Sequence, residues 1–243
     1  MKQSGKRVCS FTVMKGNCDT NHKYTLRWLL GCLIFFVCSC GAKSDYNKLV
    51  ITKTDSLAEA AKNARAYQQI DSLKKTVHTG DLVLRTGNDF TSEGLRSLNR
   101  RDETYSHCGI ASIENDSLFV YHALGGEWNP DQKIRRDPLE VFAEPFSNRG
   151  IGLYRFPLSA QEITTLMITV KKLHDMGIMF DMKFDLESND HMYCAEFVYK
   201  SYLMGTNGKL QFNTSHIGKF AFIGVDDLFL QPLCKEEGRI LYK

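Results

Sequence analysis

Residues 191–199 read HMYCAEFVY and place Cys194 where a polar segment gives way to an apolar helix. A thiol in the first turn of a helix feels the positive end of the helix dipole, which favours the thiolate. A thiolate with a histidine in reach is an activated nucleophile. The candidate histidine is His107, within residues 105–110, which read YSHCGI. Together the two motifs predict covalent catalysis by Cys194 and His107.

Short strand patterns surround these motifs. They lie at residues 82–85, 107–113, 117–123, 151–156, 221–223 and 239–242. Residues 114–116 read END, a turn that joins two of these strands into a hairpin. Helices are predicted from the capping box of Ser159 and Glu162 to about Met176, and from Cys194 to about Met204. The pattern predicts one α+β domain.

Two further patterns predict local packing. Residues 55–77 favour a lead-in helix, with apolar positions at helical spacing: Leu57, Ala61, Ala64, Tyr67 and Ile70. Asp137-Pro138 is typical of a helix cap followed by proline at the first helical position. We therefore expect a helix to begin at Pro138.

Charge and cysteine usage exclude several classes of protein. The 243 residues carry 31 Lys and Arg against 28 Asp and Glu, a net charge of +3, and part of that excess lies near the N-terminus. The domain is therefore close to neutral, which gives no case for nucleic-acid binding. Five of the eight cysteines lie in the first 40 residues. The remaining three, Cys108, Cys194 and Cys234, predict no disulfide scaffold, although a Cys108–Cys234 pair stays open.

The N-terminal segment reads as a leader. Residues 28–40, WLLGCLIFFVCSC, form an apolar stretch of about 13 residues after basic positions, which is shorter than the ~20 residues that span a bilayer. Its end resembles a bacterial lipobox, which predicts a lipoprotein signal peptide over 1–39, with translation starting at Met1 or Met14. Cys40 is then the acylated residue, and 40–75 form a tether and the lead-in helix. A plain signal peptide or a short anchor is the alternative.

The ordered motifs resemble the permuted papain-fold amidases of the YiiX/YaeF type, relatives of NlpC-type cell-wall peptidases and of lecithin retinol acyltransferase. They are GDLV at 80–83, SHCGI at 106–110, VYHA at 120–123, FD at 180–181 and YCAEFVY at 193–199. The histidine strand precedes the cysteine helix, the reverse of papain. The resemblance covers roughly 76–230, and we assign the hydrolase domain to 76–243. It implies a permuted papain-like α+β fold, with a small antiparallel sheet packed against the nucleophile helix.

The resemblance also implies roles for individual residues. The nucleophile falls on Cys194, the base on His107, and the polar group that orients the imidazole on His122. Ala195 stands where serine is common in the family. The backbone N–H of Cys194 is a natural donor to an oxyanion, because it lies at a helix N-terminus.

Further residues are candidates for the substrate groove. Tyr105 and Tyr193 flank the two motifs, and Asp181 lies at the predicted rim. Cys108 points to the opposite strand face from His107 and is predicted to fill the core. His191, three residues before Cys194, raises the alternative of zinc, but the spacing is not a known zinc pattern. We predict no metal and no cofactor.

These observations predict a lipid-anchored cell-envelope hydrolase that cleaves an amide through an acyl-enzyme. The family suggests a peptidoglycan stem peptide as substrate. A lipid or N-acyl substrate, cleaved as amide or ester, is the rival within the enzyme class. A catalytically silent binding lipoprotein is the rival outside it. The predicted partners are a small substrate and the membrane, through the N-terminal lipid, and the residues define no oligomeric state.

Overall fold

The computed structural model describes residues 53–125, 129 and 132–242. The predicted signal peptide, the alternative start at Met14 and the predicted acylation site at Cys40 lie outside these residues. Within them, no helix is both long enough and apolar enough to cross a membrane.

Eight strands and six helices are found in the described part of the chain. The helices are α1 (Lys53–Lys74), α2 (Phe90–Arg96), α3 (Leu139–Phe142), α4 (Ala160–Asp175), α5 (Cys194–Gly205) and α6 (Val225–Phe229). The strands are β1 (Leu82–Gly87), β2 (His107–Glu114), β3 (Ser117–His122), β4 (Arg135–Pro138), β5 (Asn148–Arg155), β6 (Ser215–Ile217), β7 (Phe220–Phe222) and β8 (Lys235–Leu241).

Six strands form one antiparallel sheet in the order β4-β3-β2-β1-β5-β8, and β6 pairs with β7. The predicted β2–β3 hairpin is present. Asn115 and Asp116 form its turn, with φ of 47° and 62°. Positive φ at both turn residues matches the twist of the flanking strands.

One face of the sheet packs against α4 and α5. Leu166 and Val170 of α4 and Phe197 and Val198 of α5 are fully buried in the cluster that fills this side. The predicted capping box is present, because Ser159 Oγ accepts from the main chain of Glu162 while the Glu162 carboxylate accepts from Ser159. The antiparallel sheet against the Cys194 helix confirms the predicted fold class.

The opposite face is covered by α1 and α3. The buried residues of α1 are Ala66, Ile70 and Leu73, which pack with Leu139 and Phe142 of α3. The predicted apolar face of the lead-in helix was therefore wrong except at Ile70: Leu57, Ala61, Ala64 and Tyr67 are exposed. Contact with the sheet selected a different stripe of the same helix.

The expected helix start at Pro138 was also wrong in detail. Arg135–Pro138 pair with β3, and the short α3 begins only at Leu139. Pairing with the edge of the sheet outweighed the local cap signal. Asp137 therefore lies on a strand beside His122 instead of capping a helix.

Candidate active site

Cys194 is the first residue of α5, and its sulfur is surrounded by groups that favour a thiolate. The pKa of the Cys194 thiol is lowered, chiefly because the Cys108 thiol donates a hydrogen bond to it. Burial opposes this shift. The pKa of Cys194 is lowered further by hydrogen bonds from the main-chain N–H groups of Ala195 and Cys108, and by the positive charge of Arg85. The position of the sulfur at the helix N-terminus therefore favours the thiolate, the form in which a cysteine is nucleophilic.

Cys108 does more than fill the core. It is fully buried on the face of the sheet that packs against α5, opposite to the His107 side chain as predicted. Burial raises the pKa of the Cys108 thiol well above its ordinary value, and its contact with Cys194 raises it further. Cys108 therefore stays protonated, and its S–H donates a hydrogen bond to the Cys194 sulfur. Cys108, Cys194 and Cys234 are all free thiols, so the Cys108–Cys234 disulfide is not formed.

His107 and His122 form a buried pair, as expected from the sequence. Nε2 of His107 lies 2.8 Å from Nδ1 of His122, and the side chains are 5% and 0% exposed. The ring of Phe142 packs against both imidazoles, with centroids 5.7 Å and 5.1 Å away. Burial lowers the pKa of both histidines, and the charge of Arg85 lowers them further. Both imidazoles are therefore neutral near pH 7.

Asp137 extends this pair into a chain. Its Oδ2 lies 3.0 Å from Nε2 of His122 and 2.7 Å from Nη2 of Arg135. Burial opposes ionisation of Asp137, but the hydrogen bonds from His122 and Arg135 outweigh it and lower the pKa of the carboxyl to about 2. A carboxylate only accepts, so His122 donates from Nε2 and accepts at Nδ1, and His107 donates from Nε2. This polarity leaves a lone pair on Nδ1 of His107.

The Cys194 sulfur contacts the end of β2 at Cys108, the residue that follows His107. The main-chain N–H of Cys108, which donates to the Cys194 sulfur, belongs to the peptide that follows His107. Nδ1 is the ring nitrogen that is fewer bonds away from the His107 main chain. The side-chain hydrogen bond of His107 is the one from Nε2 to His122. Among the described residues, no hydrogen bond joins the Cys194 sulfur to the His107 imidazole. Such contacts are often looser before substrate binds.

Two cavities adjoin at this point. Cys194 and Tyr193 line a cavity of about 30 Å³ with otherwise mainly apolar walls. His107 and Arg85 line a larger cleft of about 630 Å³. Three residues line both spaces: Leu95, Ser106 and Phe184. The small cavity at Cys194 and the cleft at His107 therefore share part of their walls.

The predicted substrate residues fall in different places. Tyr193 lines the small cavity, and its hydroxyl accepts a hydrogen bond from the main chain of Ile223 at 2.8 Å. Tyr105 instead lies in the core, 1% exposed, with its ring 5.3 Å from that of Phe229 and 6.0 Å from that of Tyr154. The structure thus gives Tyr105 a packing role.

Asp181 acts through the loop that follows it. Its buried carboxylate accepts from the main-chain N–H groups of Lys183 and Asp185, at 2.7 Å and 2.6 Å. These bonds close a turn that carries Phe184, at φ 56°, to the wall of both cavities. His191 pairs with Asp190 at 3.3 Å. Across the residues with a described structure, no three His, Cys, Asp or Glu side chains are grouped to hold a metal ion.

Sequence reasoning missed two residues of this site. Asp137 was assigned to a helix cap, and Arg85 was not singled out. Arg85 lies directly across from His107 in the β1–β2 register. Opposite positions in adjacent strands project to the same face, so this pairing was the signal for Arg85. For Asp137, the alternation of Arg135 and Asp137 on one strand face was the corresponding signal.

Residues 76–217 match the model of the family described as "Permuted papain-like amidase enzyme, YaeF/YiiX, C92 family". The crystal structure of YiiX from Escherichia coli O157:H7, described as a metalloprotein, has a TM-score of 0.56 and 18% sequence identity to this chain. The match covers 68% of this chain and 98% of that one, and it concerns the fold. No curated protein matches the chain.

Proposed function

The chain belongs to the permuted papain-like amidase family of the YaeF/YiiX type, and from this premise we propose that it hydrolyses an amide bond through an acyl-thioester on Cys194. The observation that carries the proposal is the thiolate-favouring environment of the Cys194 sulfur, which contacts Cys108, the residue next to His107 of the hydrogen-bonded His107–His122–Asp137 chain. A silent binding module has no use for either feature.

In the first half of the reaction, Nδ1 of His107 takes the thiol proton of Cys194. The sulfur then forms a bond to the carbonyl carbon of the substrate, and the oxyanion is stabilised by the main-chain N–H of Cys194 at the N-terminus of α5. His107 next delivers its proton to the amide nitrogen. The C–N bond breaks, the amine leaves, and the acyl group stays on sulfur.

The second half returns the site to its starting state. His107, neutral again, removes a proton from water, and the hydroxide attacks the thioester carbon. The C–S bond breaks, the leaving Cys194 sulfur takes the proton back from His107, and the carboxylic acid leaves. Throughout, Asp137 and His122 hold His107 in the tautomer whose Nδ1 carries the lone pair, and they stabilise the imidazolium when it forms.

The cellular setting is part of the proposal. We propose that Cys40 is acylated, that the lipid anchors the protein to the cell envelope of a bacterium, and that the substrate is a peptidoglycan stem peptide. The lipobox-like end of residues 28–40 supports the first two statements, and kinship with NlpC-type peptidases supports the third. A lipid or N-acyl substrate is the second candidate, because apolar side chains such as Phe180 and Phe184 line the cleft.

The neighbouring YiiX structure is described as a metalloprotein. In this chain Nε2 of His107 is hydrogen-bonded to Nδ1 of His122, and Nε2 of His122 is hydrogen-bonded to Oδ2 of Asp137. Nor do the described residues elsewhere group three potential ligands. This donor set does not fit a metal centre, and no step of the proposed reaction passes through a metal.

Alkylation by iodoacetamide tests the nucleophile without knowledge of the substrate. We expect rapid, stoichiometric labelling of Cys194 at neutral pH, lost in Cys194→Ala and strongly slowed in His107→Ala. Cys234 serves as an internal control, because burial and then Asp81 raise the pKa of its thiol to about 12. Labelling of Cys194 no faster than a free cysteine would favour the silent binding module.

Incubation with purified muropeptides and with N-acyl amino acids, read by mass spectrometry, tests the substrate. Cleavage of muropeptides by the unmodified protein, absent in Cys194→Ala, is the expected result. If only the N-acyl compounds are cleaved, the cell-wall assignment is wrong and the second candidate stands.

A further inference from the structure

We propose that Arg85 is the anion-binding residue of the substrate cleft, so that the preferred substrate is an amide that carries a carboxylate near the scissile bond. The proposal rests on the function argued above and narrows its substrate class. Both candidate substrates, a stem peptide and an N-acyl amino acid, can present this group.

The first observation is the position of Arg85. It lies on β1 directly opposite His107 and lines the same cleft of about 630 Å³. Its guanidinium carbon lies 5.0 Å from the ring centroid of Phe142, the ring that also packs on His107 and His122. The charge is close enough to Cys194 to lower the pKa of that thiol. Arg85 is therefore adjacent to the reacting groups.

The second observation is that this charge has no ion-pair partner among the described residues. Nη1 donates to the carbonyl oxygen of Phe142 at 2.9 Å, which uses one of the five guanidinium N–H donors. The nearby carboxylates are occupied elsewhere. Asp137 binds His122 and Arg135, and both oxygens of Asp89 accept from Ser92. Burying a guanidinium group whose N–H donors are unsatisfied lowers the stability of the protein, unless a bound ligand accepts those hydrogen bonds.

The third observation is the contrast between this cation and the rest of the cleft. Apolar side chains such as Leu124, Phe180 and Phe184 give most of its remaining surface, and the described polar residues that also line it include no second cation: Asp89, Thr91, Ser92, Ser106, His107, Asn129 and Gln132. A few placed polar groups in an apolar cleft fix the orientation of a ligand. The cleft thus matches a molecule with an apolar body and one anionic group.

The chemistry of the guanidinium favours a carboxylate over a neutral amide. Its planar fork donates two parallel hydrogen bonds to a carboxylate, and such charge-assisted bonds are stronger than neutral ones. A bound carboxylate also fixes the distance between itself and the sulfur, which places the amide carbon for attack. Arg85 therefore acts in substrate positioning as well as in thiolate stabilisation.

Calorimetric titration of Cys194→Ala, which binds without turnover, tests the proposal. Two matched ligand pairs are used: N-octanoylglycine with N-octanoylglycinamide, and N-acetyl-alanyl-alanine with its C-terminal amide. In the pair that binds, we expect the free carboxylate to bind about tenfold or more tightly than the amide. Tighter binding of the octanoyl pair would indicate an N-acyl amino acid as substrate, and tighter binding of the alanyl-alanine pair would indicate a peptide.

In the Cys194→Ala protein, the second substitution Arg85→Gln removes the positive charge. The carboxylate ligand should then bind no more tightly than its matched amide. Arg85→Lys keeps the charge without the fork and should retain part of the preference. Arg65→Gln, an exposed position on α1, removes an equal charge elsewhere and should leave the preference unchanged.

Equal affinity of carboxylate and amide when Arg85 is present overturns the proposal, as does failure of both carboxylates to bind at millimolar concentration. A preference that survives Arg85→Gln overturns it equally. The first comparison needs no change at Arg85, so it decides the question even if Arg85→Gln does not fold. Iodoacetamide is uncharged, so its reaction with Cys194 reports separately on the proposed enzymatic function.

Discussion

At the scale of single residues, two cysteines in contact have opposite chemistry. Cys194 lies at a helix N-terminus and receives hydrogen bonds from the Cys108 thiol and from main-chain N–H groups, which lower its pKa. Cys108 lies in the middle of the packed sheet face, where burial raises its pKa. The environment, and not the residue type, decides which of the two sulfurs is favoured as a thiolate.

Cys108→Ala should make Cys194 less reactive, because it removes the hydrogen-bond donor that contributes most to the lowered pKa of Cys194. We expect the midpoint of the pH profile of iodoacetamide alkylation to move to higher pH. Cys108→Ser keeps an O–H donor and should preserve much of the profile. An unchanged midpoint in Cys108→Ala would show that the helix N-terminus and Arg85 suffice.

Asp137→Asn should weaken the base and should also lower the free energy of unfolding, because the Asp137 carboxylate pairs with Arg135 and His122. The amide oxygen can still accept from His122 and Arg135, but the neutral amide no longer supplies the negative charge that stabilises the imidazolium on His107. The rate of Cys194 alkylation at neutral pH, and of hydrolysis once a substrate is known, should fall about a hundredfold or more. Asp116→Asn, in the exposed β2–β3 turn, is the matched control. A rate within a few-fold of the unmodified protein contradicts the relay.

At the scale of elements, the site depends on how closely α5 packs on its neighbours. Gly205, the last residue of α5, lies against α4. A Cβ added there would be 2.7 Å from Cα and 2.8 Å from Cβ of Leu166. Both atoms belong to the body of a helix, so the two helices must separate to admit it. The close approach of α4 and α5 is therefore conditional on glycine at this position.

Gly205→Ala should destabilise the protein by about 1–3 kcal/mol, the usual cost of overpacking. Gly94→Ala is the matched control, because a Cβ at that position in α2 meets nothing within 4 Å. There, alanine should be neutral or stabilise by up to about 1 kcal/mol through its higher helix propensity. Urea unfolding compares the two variants, and equal free energies of unfolding would refute the packing argument.

At the scale of the whole molecule, ion pairs at the sheet edge make the free energy of unfolding depend on pH. Glu114 on β2 accepts from Arg136 on β4 at 2.6 Å and 3.0 Å. Burial opposes its ionisation, but the hydrogen bonds, led by that from Arg136, lower the pKa of Glu114 to about 2. Asp137 on the same strand as Arg136 has a pKa of about 2 as well. Both carboxylates hold β4 to the rest of the sheet.

The free energy of unfolding should fall as the pH falls from about 4.5 towards 2. Below their unfolded pKa values, 4.5 for Glu114 and 3.8 for Asp137, the unfolded chain binds protons that the folded chain does not. His107 and His122, whose folded pKa values are lowered, act in the same direction. Glu196, with a folded pKa raised to about 7, opposes them only above pH 4.5.

Urea unfolding at a series of pH values measures this slope. Arg136→Gln should flatten it between pH 4.5 and 2, because the pKa of Glu114 then rises towards its unfolded value. Arg65→Gln on α1 should leave the slope unchanged. A stability that is constant over this range would contradict the assignment of these carboxylates.

Local pattern was enough for the elements and for the first half of the site. The 191–199 run, the Ser159 capping box and the β2–β3 turn each contain their own determinants within a few residues, so the sequence alone predicted α5, α4 and the hairpin. The ordered motifs also predicted the fold and, through it, the pairing of His107 with His122, which the structure contains.

Only the tertiary structure decided the rest. The buried stripe of α1, the strand that carries Asp137, the contact of Cys108 with Cys194 and the unpaired charge of Arg85 all depend on which segments lie side by side. Those segments are distant in the chain, and the energy that orders them comes from burial and hydrogen bonding across the sheet. Sequence spacing reports the face that a residue takes within its own element, but not the neighbour that the face will meet.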